Sequence, residues 1–229
     1  MARIRRPACS ERRACLRLGS LLLLPPALLL PRRGRATAYP ITAQAMREAQ
    51  VNEMGVYYRY TEFGRRARQD GYAGIAYLFA AFAAAEFVHA GNFGRIQARL
   101  GIEVPPVAKP DIGVGSTRDN LMAAADGEIR SVDEFYPRML ERIRPEGHAD
   151  AMAAVNYAWE TEKRHRDKIR QVQRWSPSFF EQVAKVIDQK TGQYYVCQLC
   201  GCTLNQLPAT TCPVCRNAAT QYRHIEPPA

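Results

Sequence analysis

The stretch Ala83–Ile96, AAAEFVHAGNFGRI, decides the fold. Alanine, phenylalanine and isoleucine recur in it at the spacing of one helix face, which predicts a buried helix. Two ionisable residues, Glu86 and His89, fall inside this apolar stripe. Because residues three positions apart share a helix face, we expect their carboxylate and imidazole side by side in the protein interior. A buried carboxylate needs a partner that neutralises its charge.

Three other segments show the same pattern, in which an apolar helical stripe is interrupted near its middle by ionisable residues. The four stripes consist of Met46, Ala49, Glu53, Tyr57 and Tyr60; of Ile75, Leu78, Phe82, Glu86, His89, Phe93 and Ile96; of Leu121, Ala125, Glu128, Val132, Phe135 and Met139; and of Ala151, Val155, Ala158, Glu162, His165, Ile169 and Val172. Breaks rich in proline or glycine separate them. Four helices of about 25 residues, with short first and third connections, predict an all-α, antiparallel four-helix bundle.

In such a bundle the ionisable residues of the four stripes meet at one height in the core. They are Glu53, Glu86, His89, Glu128, Glu162 and His165, in the order Glu, Glu-x-x-His, Glu, Glu-x-x-His. Four unpaired carboxylates are costly to bury, whereas two divalent irons would balance their charge and the imidazoles would complete the coordination. A single Glu-x-x-His is more often a solvated pair, but two copies on apolar seams favour a dinuclear metal site. Manganese or zinc are alternatives to iron there.

The carboxyl-terminal end contains a second candidate metal site. Two Cys-x2-Cys pairs, Cys197 with Cys200 and Cys212 with Cys215, are separated by eleven residues. Four thiolates with this spacing can bind one zinc or one iron in a tetrahedron. In an exported protein, two disulfides are the alternative interpretation.

The residues that follow the two cysteine pairs differ. Gly201 suits a turn with positive φ, which frees backbone N–H groups to bond the sulfurs. Arg216 holds the matching position after the second pair and is less suited to that turn. The fifth cysteine of this region, Cys202, is interpreted as a packed or unused thiol.

Residues 1–38 have the composition of an export signal. An Arg-rich start is followed by an apolar run, 18–30, and by the small residues 36–38. The run is interrupted by two prolines and is too short to span a bilayer, and RRACLR at 12–17 is similar to a twin-arginine signal. We therefore expect export to the periplasm. The alternatives are an uncleaved tail, or a translated leader before a true start at Met46 and a cytoplasmic protein.

Net charge is concentrated in the same segment. Residues 1–38 carry nine of the 32 basic residues and a single acid. The rest of the chain has 23 basic and 21 acidic residues, so its net charge is close to zero. Such a body has no electrostatic attraction for nucleic acid, and we expect no nucleic-acid partner.

The chain resembles the rubrerythrin family, in which a ferritin-like di-iron bundle is followed by a rubredoxin-like module. The resemblance covers about residues 45 to 226. It is carried, in order, by YRYTEFGRRARQDGYAGIA after Glu53, EFVHA, NLMAAADGE ending at Glu128, DEFYP, ETEKRHRDK, and YYVCQLCG with CPVC. The order of so many pieces makes the match specific.

The resemblance implies reduction of hydrogen peroxide to water at two non-haem irons, with electrons entering through a rubredoxin-type iron. It also implies a homodimer in which the module of one subunit faces the bundle of the other. By the same resemblance, Glu86 and Glu162 bridge the irons, Glu53 and Glu128 are terminal ligands, His89 and His165 hold one iron each, and Tyr60 and Tyr136 lie near the site.

One position departs from the family pattern. Family members have a further Glu three residues after the one matched by Glu128, and that residue exchanges with the first histidine as the irons change oxidation state. Here the position is Ser131, while Asp133 and Glu134 fall on other helix faces. The runner-up function is therefore a ferroxidase, oxidase or iron-binding protein with a symmetric site, as in bacterioferritin.

These observations predict four regions: an export signal 1–38, a di-iron bundle 39–175, a connecting helix 176–190 beginning with the Ser-Pro of SPSFFEQVAK, and a four-cysteine domain 191–229. No Gly-rich dinucleotide fingerprint occurs, so we expect a separate electron-donor protein that docks near the cysteine pairs. We expect no stable membrane span. A second alternative is a non-catalytic protein with structural zinc in the four-cysteine module.

Overall fold

The computed structural model describes residues 38–173, 180, 182 and 192–228. Its helices are α1 (Pro40–Gln69), α2 (Ala73–Arg99), α3 (Thr117–Arg130), α4 (Tyr136–Ile143) and α5 (Ala149–Gln173). A π-helical turn, Ser131–Phe135, joins α3 to α4, and we call these three elements together the third bundle helix. A 3-10 turn, Arg144–Glu146, follows it. The predicted all-α, ferritin-like four-helix bundle is confirmed.

Local sequence explains where the helices begin and end. Ser116 caps the third bundle helix, because its hydroxyl accepts a hydrogen bond from the Asp119 N–H at 3.2 Å. Glu146 caps α1 from a distance, since its carboxylate accepts from the backbone N–H groups of Ile41 and Thr42 at 2.9 and 2.7 Å. Such caps satisfy backbone donors that have no partner within the helix.

The π turn shifts the buried face of the third bundle helix by one residue. A π turn accommodates an extra residue, so the apolar stripe expected for an uninterrupted α-helix is displaced after it. Phe135, which was predicted in the stripe, is only half-buried, whereas Tyr136 is fully buried. Phe135 therefore lies at the edge of the core, against which it packs, and Tyr136 takes the fully buried position, while Met139 of the predicted stripe is buried as expected.

Two apolar clusters fill the bundle on either side of the ionisable level. One contains Tyr60, Phe63, Phe79 and Phe82 among others. The second contains Met46, Phe93, Tyr136, Ile143 and Val155 among others. Since the ionisable residues lie between these clusters along each helix, they are sealed from water at both ends of the bundle.

The carboxyl-terminal module is a small antiparallel sheet of three strands, β1 (Tyr194–Cys197), β2 (Thr203–Leu204) and β3 (Tyr222–Ile225). The strand order is β2-β1-β3, and Tyr195 pairs with both Leu204 and His224. A 3-10 turn, Ala219–Gln221, precedes β3. The predicted small β module with four cysteines is confirmed.

The module packs on α2. The Tyr77 hydroxyl accepts a hydrogen bond from the Tyr194 N–H at 3.1 Å and donates one to the carbonyl of Ile225. The Tyr77 and Tyr194 rings meet edge to face, 4.8 Å apart. One tyrosine of the bundle thus holds two strands of the module.

Several predictions fall outside the described residues. The export signal does so except for Ala38, and the connecting helix does so except for Phe180 and Gln182, which have helical backbone. The four region boundaries stay predictions. Among the described residues, only Ala73–Arg99 has the length and apolarity of a membrane span, and 78% of its most apolar window is buried in the bundle, as expected for a core helix.

Candidate metal centres

The six residues predicted as metal ligands come together in the core of the bundle. Each of them is at most 3% exposed: Glu53, Glu86, His89, Glu128, Glu162 and His165. Their side chains form two groups whose potential ligand atoms lie within 4.8 Å of one another. Glu86 and Glu162 belong to both groups, which is the arrangement of two bridging carboxylates between a pair of metal ions.

The first group surrounds the Nδ1 atom of His89. Glu86 Oε2 and Glu162 Oε1 each lie 3.0 Å from this nitrogen, and Glu53 Oε2 lies 3.8 Å from it. One helix therefore supplies two members of the group, as the Glu-x-x-His spacing predicts. Glu53 belongs to this group alone and occupies the terminal position.

The second group mirrors the first around the Nδ1 atom of His165. Glu86 Oε1 and Glu162 Oε2 both lie 3.3 Å from it, and Glu128 Oε1 lies 3.9 Å from it. Each centre is thus offered two shared glutamates, one terminal glutamate and one histidine. This donor set is that of a carboxylate-bridged pair of metal ions.

The donor set fits metals because several of its atoms have no other partner. Glu86 Oε1, Glu162 Oε1 and His165 Nδ1 are buried close to other members of the site but make no well-aligned hydrogen bond. Unpartnered buried polar atoms are costly and rare in folded proteins. A pair of divalent cations would satisfy all three atoms, so the chain carries a carboxylate/histidine di-metal site.

The pKa shifts of the ligands show that the core favours positive charge beside the glutamates. Burial raises the pKa of Glu53 to about 7 and raises that of Glu128 well above its usual range. Burial alone would lower the pKa of His165, but the Glu162 carboxylate more than offsets this and raises it to about 9. Protons thus collect where the carboxylates meet. Two divalent cations would take over that role, because metal ions displace protons from their ligands.

Two tyrosines fix the terminal glutamates. The Tyr136 hydroxyl donates a hydrogen bond to Glu53 Oε1 at 2.7 Å, and the Tyr60 hydroxyl donates one to Glu128 Oε1. Burial and the neighbouring carboxylates raise the pKa of both phenols well above the usual value, so they stay protonated donors. The structure places both tyrosines beside the site, where the resemblance put them.

No described carboxylate replaces the further glutamate that the family pattern places at residue 131. Ser131 begins the π turn and lines the cavity beside the site. Asp133 and Glu134 are exposed and face Arg166 and Arg138, at 3.5 and 3.1 Å. The di-metal site is therefore built from six ligands among the described residues.

A cavity of about 240 Å³ connects the di-metal site with the surface. Its inner end is formed by the four glutamates. Its remaining lining residues are Asn52, Val56, Arg59, Gly127, Arg130, Ser131 and Phe135. A small molecule can therefore reach the metals between α1 and the third bundle helix.

The four predicted cysteines meet in the module. The Sγ atoms of Cys197 and Cys215 lie 3.7 Å apart, and those of Cys200 and Cys212 lie 3.5 Å apart. These separations suit four sulfurs around one metal ion and exclude disulfides, in which the sulfurs are about 2.0 Å apart. All four thiols are free and buried, so the disulfide alternative was wrong.

Both turns after the cysteine pairs adopt the same left-handed backbone. Gly201 has φ 77° and Arg216 has φ 62°. The N–H of each bonds the carbonyl of the first cysteine of its pair, at 2.9 and 3.0 Å. The expectation for Gly201 is thus confirmed, and Arg216 shows that the turn forms there without glycine.

Cys202 is fully buried, as the interpretation of a packed thiol predicts. Burial raises its pKa to about 12, so this thiol stays protonated. Tyr222 is a neighbour of both Cys202 and Cys212, and its hydroxyl donates to Cys212 Sγ at 3.1 Å. Cys202 itself is not among the four thiols whose sulfurs converge.

The two metal sites are joined through His89. If Nδ1 of this histidine binds a metal, its proton resides on Nε2, which lies 3.0 Å from the carbonyl oxygen of Cys200. Thr161 of α5 donates to the same oxygen at 3.0 Å. One residue therefore contacts the di-metal site with one ring nitrogen and a cysteine ligand of the module with the other.

The other histidine is held similarly. His165 Nε2 lies 3.3 Å from the Thr203 hydroxyl, which donates to the carbonyl of Gly201 at 3.1 Å. Both imidazoles thus present Nδ1 to the carboxylates and Nε2 to the module, at Cys200 for His89 and at Thr203 of β2 for His165. In this structure the module lies on the bundle of its own chain; the homodimer stays a prediction.

Sequence reasoning missed the residues that join the two sites. Thr161 and Thr203 are ordinary threonines in the sequence, and no local pattern marks them. Tyr222, one of eleven tyrosines, was likewise missed as a partner of the four-cysteine site. The sequence does offer one clue to Thr161. It directly precedes the ligand Glu162, so its side chain is expected beside the ligand stripe. The contacts between the two sites link residues 38 to 111 positions apart, which no local pattern encodes.

Comparison with known proteins agrees with the geometry. The model of the rubrerythrin family matches residues 45–173. Nigerythrin of Nitratidesulfovibrio vulgaris is 30% identical, over 78% of this chain and 84% of that protein, and Rubrerythrin-2 of Clostridium acetobutylicum is 29% identical, over 76% and 91%. The solved structure of fully reduced, all-ferrous nigerythrin matches with a TM-score of 0.67 at 27% identity, over 80% of this chain and 86% of that one. The chain, with its di-metal bundle and four-cysteine module, belongs to the rubrerythrin family.

Proposed function

We propose that this protein is a non-haem di-iron peroxidase that reduces hydrogen peroxide to water with electrons passed through its four-cysteine iron. The observation that carries the proposal is the double contact of His89, whose ring touches the carboxylates with Nδ1 and the carbonyl of Cys200 with Nε2. A purely structural module would not need to place Cys200, one of its metal ligands, against His89, a ligand of the di-metal site. The nigerythrin relative in its all-ferrous state supports iron as the metal.

Two ferrous irons at the carboxylate/histidine site would supply two electrons, so that hydrogen peroxide and two protons yield two molecules of water. Cys197, Cys200, Cys212 and Cys215 would hold an iron, which would supply electrons one at a time. The path for these electrons runs from the sulfur of Cys200 through the covalent bonds of that residue to its carbonyl oxygen. A single hydrogen bond then connects this oxygen to the His89 ring.

The chain's own residues hold the protons and the ligands in place. Tyr60 and Tyr136 orient Glu128 and Glu53 through their hydroxyl groups. The four glutamates at the inner end of the cavity are the groups that can receive or release protons next to a bound oxidant. Apolar residues above and below this level exclude water from the other sides of the site.

A second candidate is a ferroxidase or oxidase with a symmetric di-iron site. Ser131 at the cavity favours it, because each centre then has the same donor set of three glutamates and one histidine. Stopped-flow mixing of the diferrous protein with hydrogen peroxide and with dioxygen separates the two. We expect faster oxidation by hydrogen peroxide, and faster oxidation by dioxygen would favour the second candidate.

The metal in the module is tested by colour. A ferric tetrathiolate absorbs visible light and is red, whereas zinc is colourless. We expect metal analysis and a visible spectrum of the isolated protein to show three irons per chain. A colourless protein with zinc in both sites would remove electron transfer and leave a non-catalytic metal-binding protein.

The electron donor is tested at Cys197. We propose that a separate donor protein docks near the two cysteine pairs. If the leader exports the protein from the cytoplasm, nicotinamide cofactors would not be available to reduce it. Cys197→Ser is expected to abolish turnover with the donor while the pre-reduced bundle still oxidises once. Full steady-state activity of this variant would make the module structural and contradict the proposed route.

A further inference from the structure

Two arginines stand at the cavity that leads to the di-metal site. Arg59 comes from α1 and is half-buried, and Arg130 is the last residue of α3 and is exposed. Arg59 crosses to the third bundle helix, since its Nη1 lies 3.9 Å from the point where a Cβ atom on Gly127 would stand. Both arginines therefore line the cavity whose inner end is formed by the glutamates.

These two arginines differ from the other arginines around them in making no ion pair among the described residues. The other arginines on this side are paired: Arg142 with Glu48 at 2.5 Å, Arg138 with Glu134 at 3.1 Å, and Arg166 with Asp133 at 3.5 Å. In the part of the chain that the structure describes, neither Arg59 nor Arg130 is in an ion pair. Their positive charge is therefore available to a molecule entering the cavity.

The net charge along the cavity differs between its outer part and its inner end once metals are bound. Four glutamates at its inner end are balanced once two divalent cations are bound, whereas the arginines at its outer part remain cationic. A narrow cavity with low-dielectric walls concentrates such a field and raises the local concentration of ions of opposite sign. The same field opposes the entry of a further cation such as Fe²⁺ by this route.

We propose that Arg59 and Arg130 form an anion-selective mouth, which admits small monovalent anions able to ligate the metals and disfavours cations. The inference rests on the proposed function, because it requires metal ions at the carboxylate site. The ligand class is a small anion of the size of azide or hydroperoxide, which fits a cavity of about 240 Å³. The arginines are positioning residues, because they act on the entering ligand through their charge and do not touch the metals.

Azide binding to the diferric protein tests this proposal. Azide is titrated at low salt and followed by its charge-transfer absorption in the parent, in Arg59→Gln, in Arg130→Gln and in the double variant. Loss of one charge near the ligand is expected to weaken azide binding by roughly three- to tenfold per arginine at low salt. The difference should shrink at high salt, because salt screens such charges.

Two controls separate charge from structure. Arg99→Gln removes the same charge at the end of α2, where Arg99 pairs with Asp150 at 3.0 Å, and should leave azide affinity unchanged. Nitric oxide, a neutral ligand, should bind the diferrous double variant as it binds the parent. Azide affinity equal to the parent's, or an equal loss for both ligands, would overturn the proposal. A chain that takes up no metal at the carboxylate site would instead overturn the proposed function, and this inference with it.

Discussion

The two cysteine turns of the module have the same backbone but different surroundings. Gly201 ends the first turn against the bundle, where an added Cβ atom would lie 2.3 Å from His89 Nε2 and 3.1 Å from the Ala85 carbonyl oxygen. Arg216 ends the second turn on the surface, with its side chain exposed. The left-handed turn therefore tolerates a side chain, and glycine is required at 201 because the bundle lies too close. One turn serves contact with the bundle and the other faces outward.

The strongest test of this difference is Gly201→Ala. The methyl group would overlap the His89 ring, so the module is expected to be displaced and the hydrogen bond from His89 to the Cys200 carbonyl lost. Overpacking of this kind costs about 1–3 kcal/mol beyond the strain of the left-handed backbone. Urea unfolding measures the loss of stability, and stopped-flow oxidation of the reduced module measures the slower electron transfer.

Gly101→Ala is the matched control for backbone strain. Gly101 has φ 75°, and a Cβ atom there meets nothing within 4 Å. Both variants share the left-handed strain of alanine, and only Gly201→Ala adds the clash. Equal losses of stability in the two variants, with unchanged electron transfer, would show that the first turn is not pressed against the bundle.

The second turn is tested at Tyr222, whose hydroxyl donates to Cys212 Sγ at 3.1 Å. A hydrogen bond to a thiolate stabilises the reduced, more negative iron site, so Tyr222→Phe is expected to lower its reduction potential by on the order of tens of millivolts. Spectroelectrochemistry of the red iron site measures the shift. Tyr195→Phe removes a hydroxyl of the same sheet that bonds Gln193, and it should leave the potential unchanged.

A smaller effect is expected at Thr161, which donates to the carbonyl of Cys200 at 3.0 Å from a fully buried position. Thr161→Val keeps the shape and removes this bond, which should lower the free energy of unfolding by about 1 kcal/mol. Thr42→Val is the counterpart, because the Thr42 hydroxyl is buried without a partner. Removing the Thr42 hydroxyl should leave the free energy of unfolding unchanged or raise it. An equal decrease of this free energy in both variants would argue against the Thr161 hydrogen bond.

The smallest effect is expected at Arg216. Its φ of 62° is strained for a residue with a side chain, and nothing at this exposed position excludes glycine. Arg216→Gly should raise the free energy of unfolding by up to about 1 kcal/mol, because the relieved strain exceeds the entropy that glycine loses. Thermal unfolding of the metal-loaded protein measures it. A clear decrease in the melting temperature would mean that the arginine side chain makes a stabilising contact.

The sequence predicted the bundle and its ligands well because both depend on local periodicity. Glu86 and His89 are neighbours on one helix face, and this proximity does not depend on how the helices pack against one another. Their partners Glu53, Glu128 and Glu162 could be placed by counting along the other stripes, since each apolar seam contained one interruption. The tyrosines at 60 and 136 were found only through the family resemblance.

Prediction failed where the structure depends on contacts between distant segments. The contact of His89 with the Cys200 carbonyl joins residues 111 positions apart. This contact depends on how the module packs against the bundle, and the sequences of the two regions taken separately do not determine that packing. The anion-selective mouth was missed for the same reason, because Arg59 and Arg130 look like solvated surface charges until the cavity between them is seen.

The π turn at Ser131–Phe135 has a consequence for aligning this chain with others. The extra residue it holds would appear as a one-residue insertion against a chain whose third helix is uninterrupted, and the gap could be placed anywhere between Glu128 and Tyr136. A one-residue gap placed before residue 131 would match the ligand position to Val132 instead of Ser131, and neither residue is a carboxylate. Asp133 and Glu134 lie further along the chain and face arginines, so no placement of a single gap restores the missing glutamate.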